Sequence, residues 1–227
     1  TELLLGTEDN DIITSGGGFR DYIYGNGGND ILIGHDDTIE DLRGGEGDDT
    51  LLGNGGNDRL IGQQGDDIMD GGAGIDVARY DRDFGSGGVT VNLSNSARDG
   101  QAAGTATDTH GDTDTLISIE DVRGSNNDDT IIGSDVANFL RGRGGNDTLE
   151  GGAGNDTLRG ESGTDTFVFG LGDGADVIED FDTAAGETIQ LSLPGVADFS
   201  ALAPLMSAQG PNTLIDFGNG DSLTLFN

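Results

Sequence analysis

A nine-residue unit recurs in this chain, and its register narrows the possible folds more than any other feature. GGEGDDTLL (44–52), GNGGNDRLI (53–61), GQQGDDIMD (62–70) and GGAGIDVAR (71–79) follow one another without a gap. GSNNDDTII (124–132), GRGGNDTLE (142–150) and GGAGNDTLR (151–159) repeat the pattern. Its form is G-G-x-G-x-D-x-U-x, with U a large apolar residue. Glycines at positions 1, 2 and 4 permit positive φ and a tight turn. A loop so bent turns its carbonyls inward, and the Asp at position 6 adds a carboxylate. Carbonyls and carboxylates are the ligands that Ca²⁺ takes, roughly six to eight oxygens per ion. Positions 7 to 9 then form a short strand whose middle residue points into a core. If one unit makes half a coil, two make a full turn, and loops 18 residues apart stack on one edge. Asp49 and Asp67 have that spacing, as do Asp58 and Asp76, Asp129 and Asp147, and Asp147 and Asp165. A flexible Gly/Asp linker would have no reason to place Leu51, Leu60, Met69, Ile131, Leu149 and Leu158 two residues after each Asp.

Charge sets a condition on folding. The formal net charge of the 227 residues is −33, with only 10 basic residues. That argues against a nucleic-acid partner and against binding an anionic membrane through basic residues. Leu, Ile, Val and Phe make up about a quarter of the chain, close to the level at which a highly charged sequence stays disordered. Carboxylate repulsion and glycine entropy should therefore prevail without a cation, and folding should follow ion binding. About eight to ten Ca²⁺ ions would cancel about half of the charge. There is no Cys, so disulfides and thiolate metal sites are excluded. No apolar run is long enough for a membrane span. TELLLG lacks the features of a signal peptide. A start at Thr1 rather than Met points to a piece of a longer protein.

In chain order, residues 1–79 form a first repeat block, 80–123 a linking coil, 124–166 a second block and 167–227 a β-rich cap. TELLL is an entry strand. The early loops are 6–11, 16–21 and 25–30, followed by an irregular unit at 34–43 that fits with one inserted residue. That insertion puts Glu40 at the Asp position and Leu42 inward. Asp11, Asp30, Asp49 and Asp67 then line one edge, and Asp21, Glu40, Asp58 and Asp76 the other. In the second block Asp129, Asp147 and Asp165 share one edge, and Asn138 and Asp156 the other. Asn138 keeps an oxygen but loses the charge. Between the blocks, VTVNL (89–93) and LISIEDV (116–122) alternate as strands do. The stretch 94–115 is a small-polar loop expected to project sideways. Its Asp108, Asp112 and Asp114 either hold another cation or belong to a solvated loop. Six of the nine Phe lie at or after 167, in strand-like segments suited to closing the end of a solenoid. SALAPLMSAQG (200–210) is expected to contain a short helix with Pro204 in its first turn.

The repeats at 1–80 and 124–165 resemble the RTX, or haemolysin-type calcium-binding, family of bacterial secreted proteins. TDTFVFG, ADVIEDF, ETIQL and DSLTL after residue 164 resemble the segment that follows such repeats in serralysin-type proteases. VTVNL and TLISIEDVRGS resemble the connector between RTX blocks. The resemblance implies an all-β fold, a parallel β-roll solenoid in two repeat blocks with a C-terminal β cap. It implies a secreted, extracellular protein, exported by type I secretion machinery through an uncleaved C-terminal signal and folded by calcium outside the cell. An end at Asn227 is early for a whole signal of that kind. The resemblance also implies that loop carbonyls join the Asp at position 6. In the first block these belong to Gly44, Glu46, Gly53, Gly55, Gly62, Gln64, Gly71 and Ala73. In the second they belong to Gly142, Gly144, Gly151, Ala153, Gly160 and Ser162.

No catalytic constellation accompanies the repeats. HExxH, GxSxG and the phosphate-binding GxxxxGK[ST] are all missing. The two His residues, His35 and His110, read as surface positions. The leading expectation is a noncatalytic calcium-binding module that assists secretion and folding of a larger protein. The alternative is an adhesion or carbohydrate-interaction module with a glycan or cell-surface ligand, of the kind found in RTX adhesins and alginate epimerase R-modules.

Overall fold

The computed structural model describes residues 1–18, 20–98, 100–193, 196 and 199–226. Phe19 of the second expected loop, Asp99 of the connector and Asn227 of the last expected strand lie outside the described residues. The chain winds as an all-β solenoid between a twelve-stranded and an eleven-stranded sheet. Successive units fall on opposite sheets. Ile31–Ile33, Thr50–Leu52 and Ile68–Asp70 belong to one; Ile39–Glu46, Arg59–Gln64 and Val77–Arg79 belong to the other. Neighbours in each sheet are therefore two units apart and parallel. A parallel pair cannot be joined by a tight hairpin; here each short loop crosses to the facing sheet, and the return unit comes back alongside.

Register turns the apolar position of each unit into a stack. Leu51 sits between Leu32 and Met69, and Leu60 between Leu42 and Ala78. On the larger sheet the stack runs on through Val122, Leu140, Leu158, Ile178 and Leu225. All of these are buried, with Leu51, Leu60, Met69, Ile131 and Leu149 at 0% exposure. One continuous core thus serves both repeat blocks.

The connector departs from expectation. The stretch 94–115 is no projecting loop: it carries Thr105–Thr107 and the start of Thr113–Ile117. These pair antiparallel, and Thr105–Thr107 also pairs antiparallel with Thr90–Asn92. Thr113–Ile117 continues the first block by pairing parallel with Ile68–Asp70, and Thr90–Asn92 pairs parallel with Thr130–Ile132 of the second block. The polar composition that suggested a loop is tolerated because each strand contributes one small or aliphatic inward residue, Val91, Ala106 and Leu116.

The cap closes the C-terminal end with aromatic residues. Phe169 stacks on Phe217 at 5.0 Å, and Phe167 meets Phe181 edge-on at 6.1 Å. The expected helix is one turn, Phe199–Leu202, followed by a 3-10 turn, Ala203–Leu205, with Pro204 inside the latter. Met206–Gln209 is instead a strand paired antiparallel with Asn212–Gly218. Among the described residues no helix is long and apolar enough to cross a membrane.

Leu149→Ala removes a fully buried rung and is expected to cost about 2–5 kcal/mol of stability in saturating calcium, whereas truncating the exposed Ile12 should cost below about 0.5 kcal/mol. Denaturant unfolding of the two variants compares them directly, and equal losses would show that the stacked rungs do not carry the core.

Candidate calcium-binding loops

The expected acidic residues form two continuous spines. Along one edge the backbone N–H of Asp11 donates to Asp30 Oδ1 (2.8 Å), that of Asp30 to Asp49 Oδ1 (2.7 Å) and that of Asp49 to Asp67 Oδ1 (2.8 Å). Along the other, Glu40 donates to Asp58 and Asp58 to Asp76, both at 2.7 Å. Asp21 stands beside Glu40 in the same register. The second block repeats this from Asp129 to Asp147 (2.9 Å), Asp147 to Asp165 (2.8 Å) and Asn138 to Asp156 (2.9 Å).

Three further acids continue the spines. Asp67 N–H reaches Asp114 Oδ1 at 3.2 Å, Asp76 N–H reaches Glu120 Oε2 at 2.9 Å, and Asp156 N–H reaches Asp176 Oδ1 at 2.9 Å. Their separations of 47, 44 and 20 residues hide them from a search at 18. Position 5 also has a role. Asn10, Asn29 and Asp48 accept, through their side chains, the N–H groups of Asn29, Asp48 and Asp66 in the next coil. The ND and DD doublets were the visible signal for this second, outer ladder.

The second oxygen of each carboxylate separates the loops into two classes. In Asp30, Asp49, Asp58, Asp67, Asp76, Asp147, Asp156 and Asp165, Oδ2 is buried and has no hydrogen-bond partner. Every one of these loops has left-handed backbone at positions 2 and 4, as at Asn54 and Gly56 or Gln63 and Gly65. In the other loops the oxygen is already satisfied. Thr7 donates N–H and hydroxyl to Asp11 Oδ2 at 2.7 and 2.8 Å, and the Ser15 hydroxyl donates to Asp21 Oδ2 at 2.7 Å. Ser125 caps both oxygens of Asp129 at 2.6 and 2.7 Å, and Ser134 N–H reaches Asn138 Oδ1 at 2.7 Å. Glu40 is engaged by Thr38 and by the N–H of His35. We therefore separate Asp11, Asp21, Glu40, Asp129 and Asn138, in closed loops, from the eight open ones.

The open loops fit a cation. A buried carboxylate oxygen without a partner carries a large desolvation cost, and a bound cation removes it. The glycine at position 1 takes no positive φ, contrary to expectation; it is required for space. A Cβ on Gly53 would lie 2.5 Å from Asp58 Oδ2 and 2.6 Å from the carbonyl oxygen of Gly71. The same crowding at Gly25 and Gly44 brings the carbonyls of Gly44 and Gly62 beside Asp30 and Asp49. Carbonyls at position 3 are placed differently: those of Gln64, Ala73 and Ser162 accept N–H groups of Gly47, Gly56 and Gly145 at 2.8, 3.0 and 3.1 Å. Each retains one lone pair for a further partner. The set Asp108, Asp112 and Asp114 does not converge as a triad. The Asp112 carboxylate accepts Gly65 N–H (3.0 Å), while Asp114 accepts Tyr80 hydroxyl (3.1 Å) and Asp67 N–H.

Burial raises the pKa of the Asp49, Asp58, Asp67, Asp76, Asp147, Asp156 and Asp165 carboxyls in the ion-free fold. Desolvation pushes Asp49 and Asp58 up to about 7, Asp147 up to about 8, and Asp67 up to about 9, the last with further repulsion from Asp114. Groups with raised folded values hold protons more tightly folded than unfolded. The ion-free fold is therefore least penalised at or below the unfolded carboxylate value of about 4 and loses stability as pH rises toward these values. In a calcium chelator, far-UV circular dichroism should show more β structure at pH 5 than at pH 8. In calcium, bound ions keep the carboxylates ionised and the difference should vanish; a chelated chain insensitive to pH would refute the assignment of buried, unpaired carboxylates.

A family model described as the RTX calcium-binding nonapeptide repeat matches this chain in four copies, at residues 5–38, 43–78, 123–157 and 141–178. Together they cover more than half of the chain. No curated protein matches the sequence. Among solved structures the chain is similar to the extracellular lipase LipA from Serratia marcescens, with 18% identity and a TM-score of 0.31. The match covers 99% of this chain and 37% of that one.

Proposed function

Because the chain belongs to the RTX calcium-binding nonapeptide repeat family, we propose that it is the calcium-responsive folding module of a larger bacterial protein exported by a type I transporter. The observation that carries this reading is the set of eight buried carboxylate oxygens with no partner. An unfolded chain leaves those oxygens in water; the ion-free fold strips them. At the low calcium of a cytosol the balance favours the unfolded chain, which is the form a transporter threads. Outside, Asp30, Asp49, Asp58, Asp67, Asp76, Asp147, Asp156 and Asp165, with position-1 carbonyls such as Gly44, Gly62 and Gly71, would hold the ions. Calcium supplies positive charge and oxygen coordination there, and its binding energy becomes folding energy. One ion per open loop gives about eight ions. The module has no catalytic role in this reading.

A calcium titration followed by far-UV circular dichroism, from chelator to about 10 mM with magnesium as control, should show a cooperative coil-to-β transition specific to calcium. A β-rich spectrum already present in chelator would overturn the folding switch.

One observation favours a second reading, a module that also binds an acidic glycan. Arg20, Arg43, Arg59, Arg79, Arg123, Arg141, Arg143 and Arg159 all lie on strands of the larger sheet, eight of the 10 basic residues of the chain. Arg79, Arg123, Arg141 and Arg159 are lateral neighbours on adjacent strands. A groove of about 230 Å³ runs among Arg59, Arg79, Arg123, Arg141, Asp121 and Phe139. Asp81 and Glu179 neutralise only part of this row. A carboxylated polysaccharide matches the bidentate geometry of guanidinium groups. Retention on immobilised polyuronate in calcium should drop about tenfold in an Arg123→Ala, Arg141→Ala double variant, a loss of about 1.4 kcal/mol. Unchanged retention, or none in the wild type, would remove this reading.

A further inference from the structure

Outside the repeat register, the connector gathers a different set of ligand atoms. Asp83 Oδ1 stands 2.9 Å from His110 Nδ1, and Asp108 Oδ2 stands 3.4 Å from the same nitrogen. Both carboxylate side chains are 1% exposed, and the imidazole is 23% exposed. One ligand atom from each of the three residues lies within 4.8 Å of the others.

We propose that Asp83, Asp108 and His110 form a binding site for a divalent transition cation of the zinc type, separate from the calcium loops.

The first argument is unsatisfied burial. Both oxygens of Asp83, and Oδ2 of Asp108, have no hydrogen bond of good geometry. Thr109 approaches Asp83 with its hydroxyl and backbone N–H, and its hydroxyl and carbonyl also accept the N–H groups of Gly85 (3.0 Å) and Gly87 (3.0 Å). A simple ion pair does not resolve the cluster. Protonated His110 offers a single Nδ1–H toward two buried carboxylates, so one positive charge faces two negative ones. A divalent cation satisfies both acids together.

The second argument is spacing. Ligands about 2.0–2.2 Å from a zinc ion, at angles from octahedral to tetrahedral, stand roughly 2.8–3.6 Å apart. The nitrogen-to-oxygen separations match. Orientation is also fixed: Asp108 Oδ1 accepts the N–H groups of His110, Gly111 and Asp112 at 2.9, 2.8 and 2.8 Å, which turns Oδ2 toward Asp83 and His110. Backbone donors of this kind are the usual outer support of a metal-ligating carboxylate.

The third argument is donor type. The repeat loops present only oxygen, which suits calcium. An imidazole nitrogen with two carboxylates suits zinc and its neighbours better than calcium or magnesium. The site would fasten the segment after Tyr80 to the turn at 108–112.

The chain has two histidines, so imidazole proton NMR resolves the question in the folded, calcium-saturated protein. Zn²⁺ added in excess calcium should shift the His110 ring resonances to saturation at one equivalent and leave those of His35 in place. Asp83→Asn, with an unchanged circular dichroism spectrum in calcium, should weaken that binding at least tenfold. The proposal is overturned if the two rings respond alike or neither responds. It is equally overturned if calcium displaces the zinc at similar concentration, or if the Asp83 variant binds zinc as the wild type does.

Discussion

The fold depends on how each repeat aspartate uses its two oxygens. One accepts the N–H of the acid one coil earlier, at 2.7–2.9 Å within the open loops. This bond sets the coil-to-coil register, and register decides everything inward, because a slip by one residue turns a strand's side chains to the opposite face. In the eight open loops the other oxygen is buried against glycine backbone with nothing to bind. The interaction that builds the solenoid therefore also creates its largest cost. A core of one apolar residue per half coil is thin compensation, and under the proposed reading the balance rests on a cation.

The period made much of this readable in advance. It placed Leu51, Leu60, Met69 and Leu149 in the core, where they are fully buried. It also assigned Asp49, Asp58, Asp67 and Asp147 to alternating edges, as the carboxylate ladder places them. What it missed lies where the period is broken. Asp114 and Glu120 rejoin the spines after an insertion that forms antiparallel strands within the same sheet, so their sequence spacing carries no trace of their position. The division into open and closed loops was written in the sequence in a different form. Thr7, Ser125 and Ser134 occupy position 2 in loops that also lack glycine at position 4, and their hydroxyl or backbone groups bond the residue at position 6. A search for ligands counts the Asp and overlooks the hydroxyl that has already engaged it. The arginine row escaped for a related reason: outward positions look mixed along the chain, and only lateral pairing brings Arg79, Arg123 and Arg141 together.

All closed loops but that of Glu40 lie at the start of a block. Asp11 and Asp21 begin the first block, and Asp129 and Asn138 begin the second; open loops make up most of the later units in each block. Solenoid coils gain stability from a formed neighbour. Each block thus starts with a coil whose position-6 residue is satisfied by a nearby Ser or Thr, and coils with unpaired Oδ2 atoms stack on it. The connector transmits this order. Asp67 and Asp76 donate into it at Asp114 and Glu120, and Val89 donates from it to Asp129 at 2.8 Å. It is a continuation of the spine, with two extra strand reversals, rather than a tether between two rolls.

Charge is segregated in the same geometry. The position-6 acids occupy the two loop edges, while eight of the 10 arginines lie on the larger sheet, with Asp41, Asp81, Asp121 and Glu179 among them. In the ion-free chain a net charge of −33 swamps the arginines, and an anionic ligand would be repelled at long range. Under the proposed reading, about eight divalent ions cancel about sixteen of those charges, all of them at the edges. The arginine face then emerges as a local positive stripe. Binding of an acidic glycan would consequently be coupled to calcium without any contact between the two ligands, since each requires the folded solenoid and the first reduces the field that opposes the second.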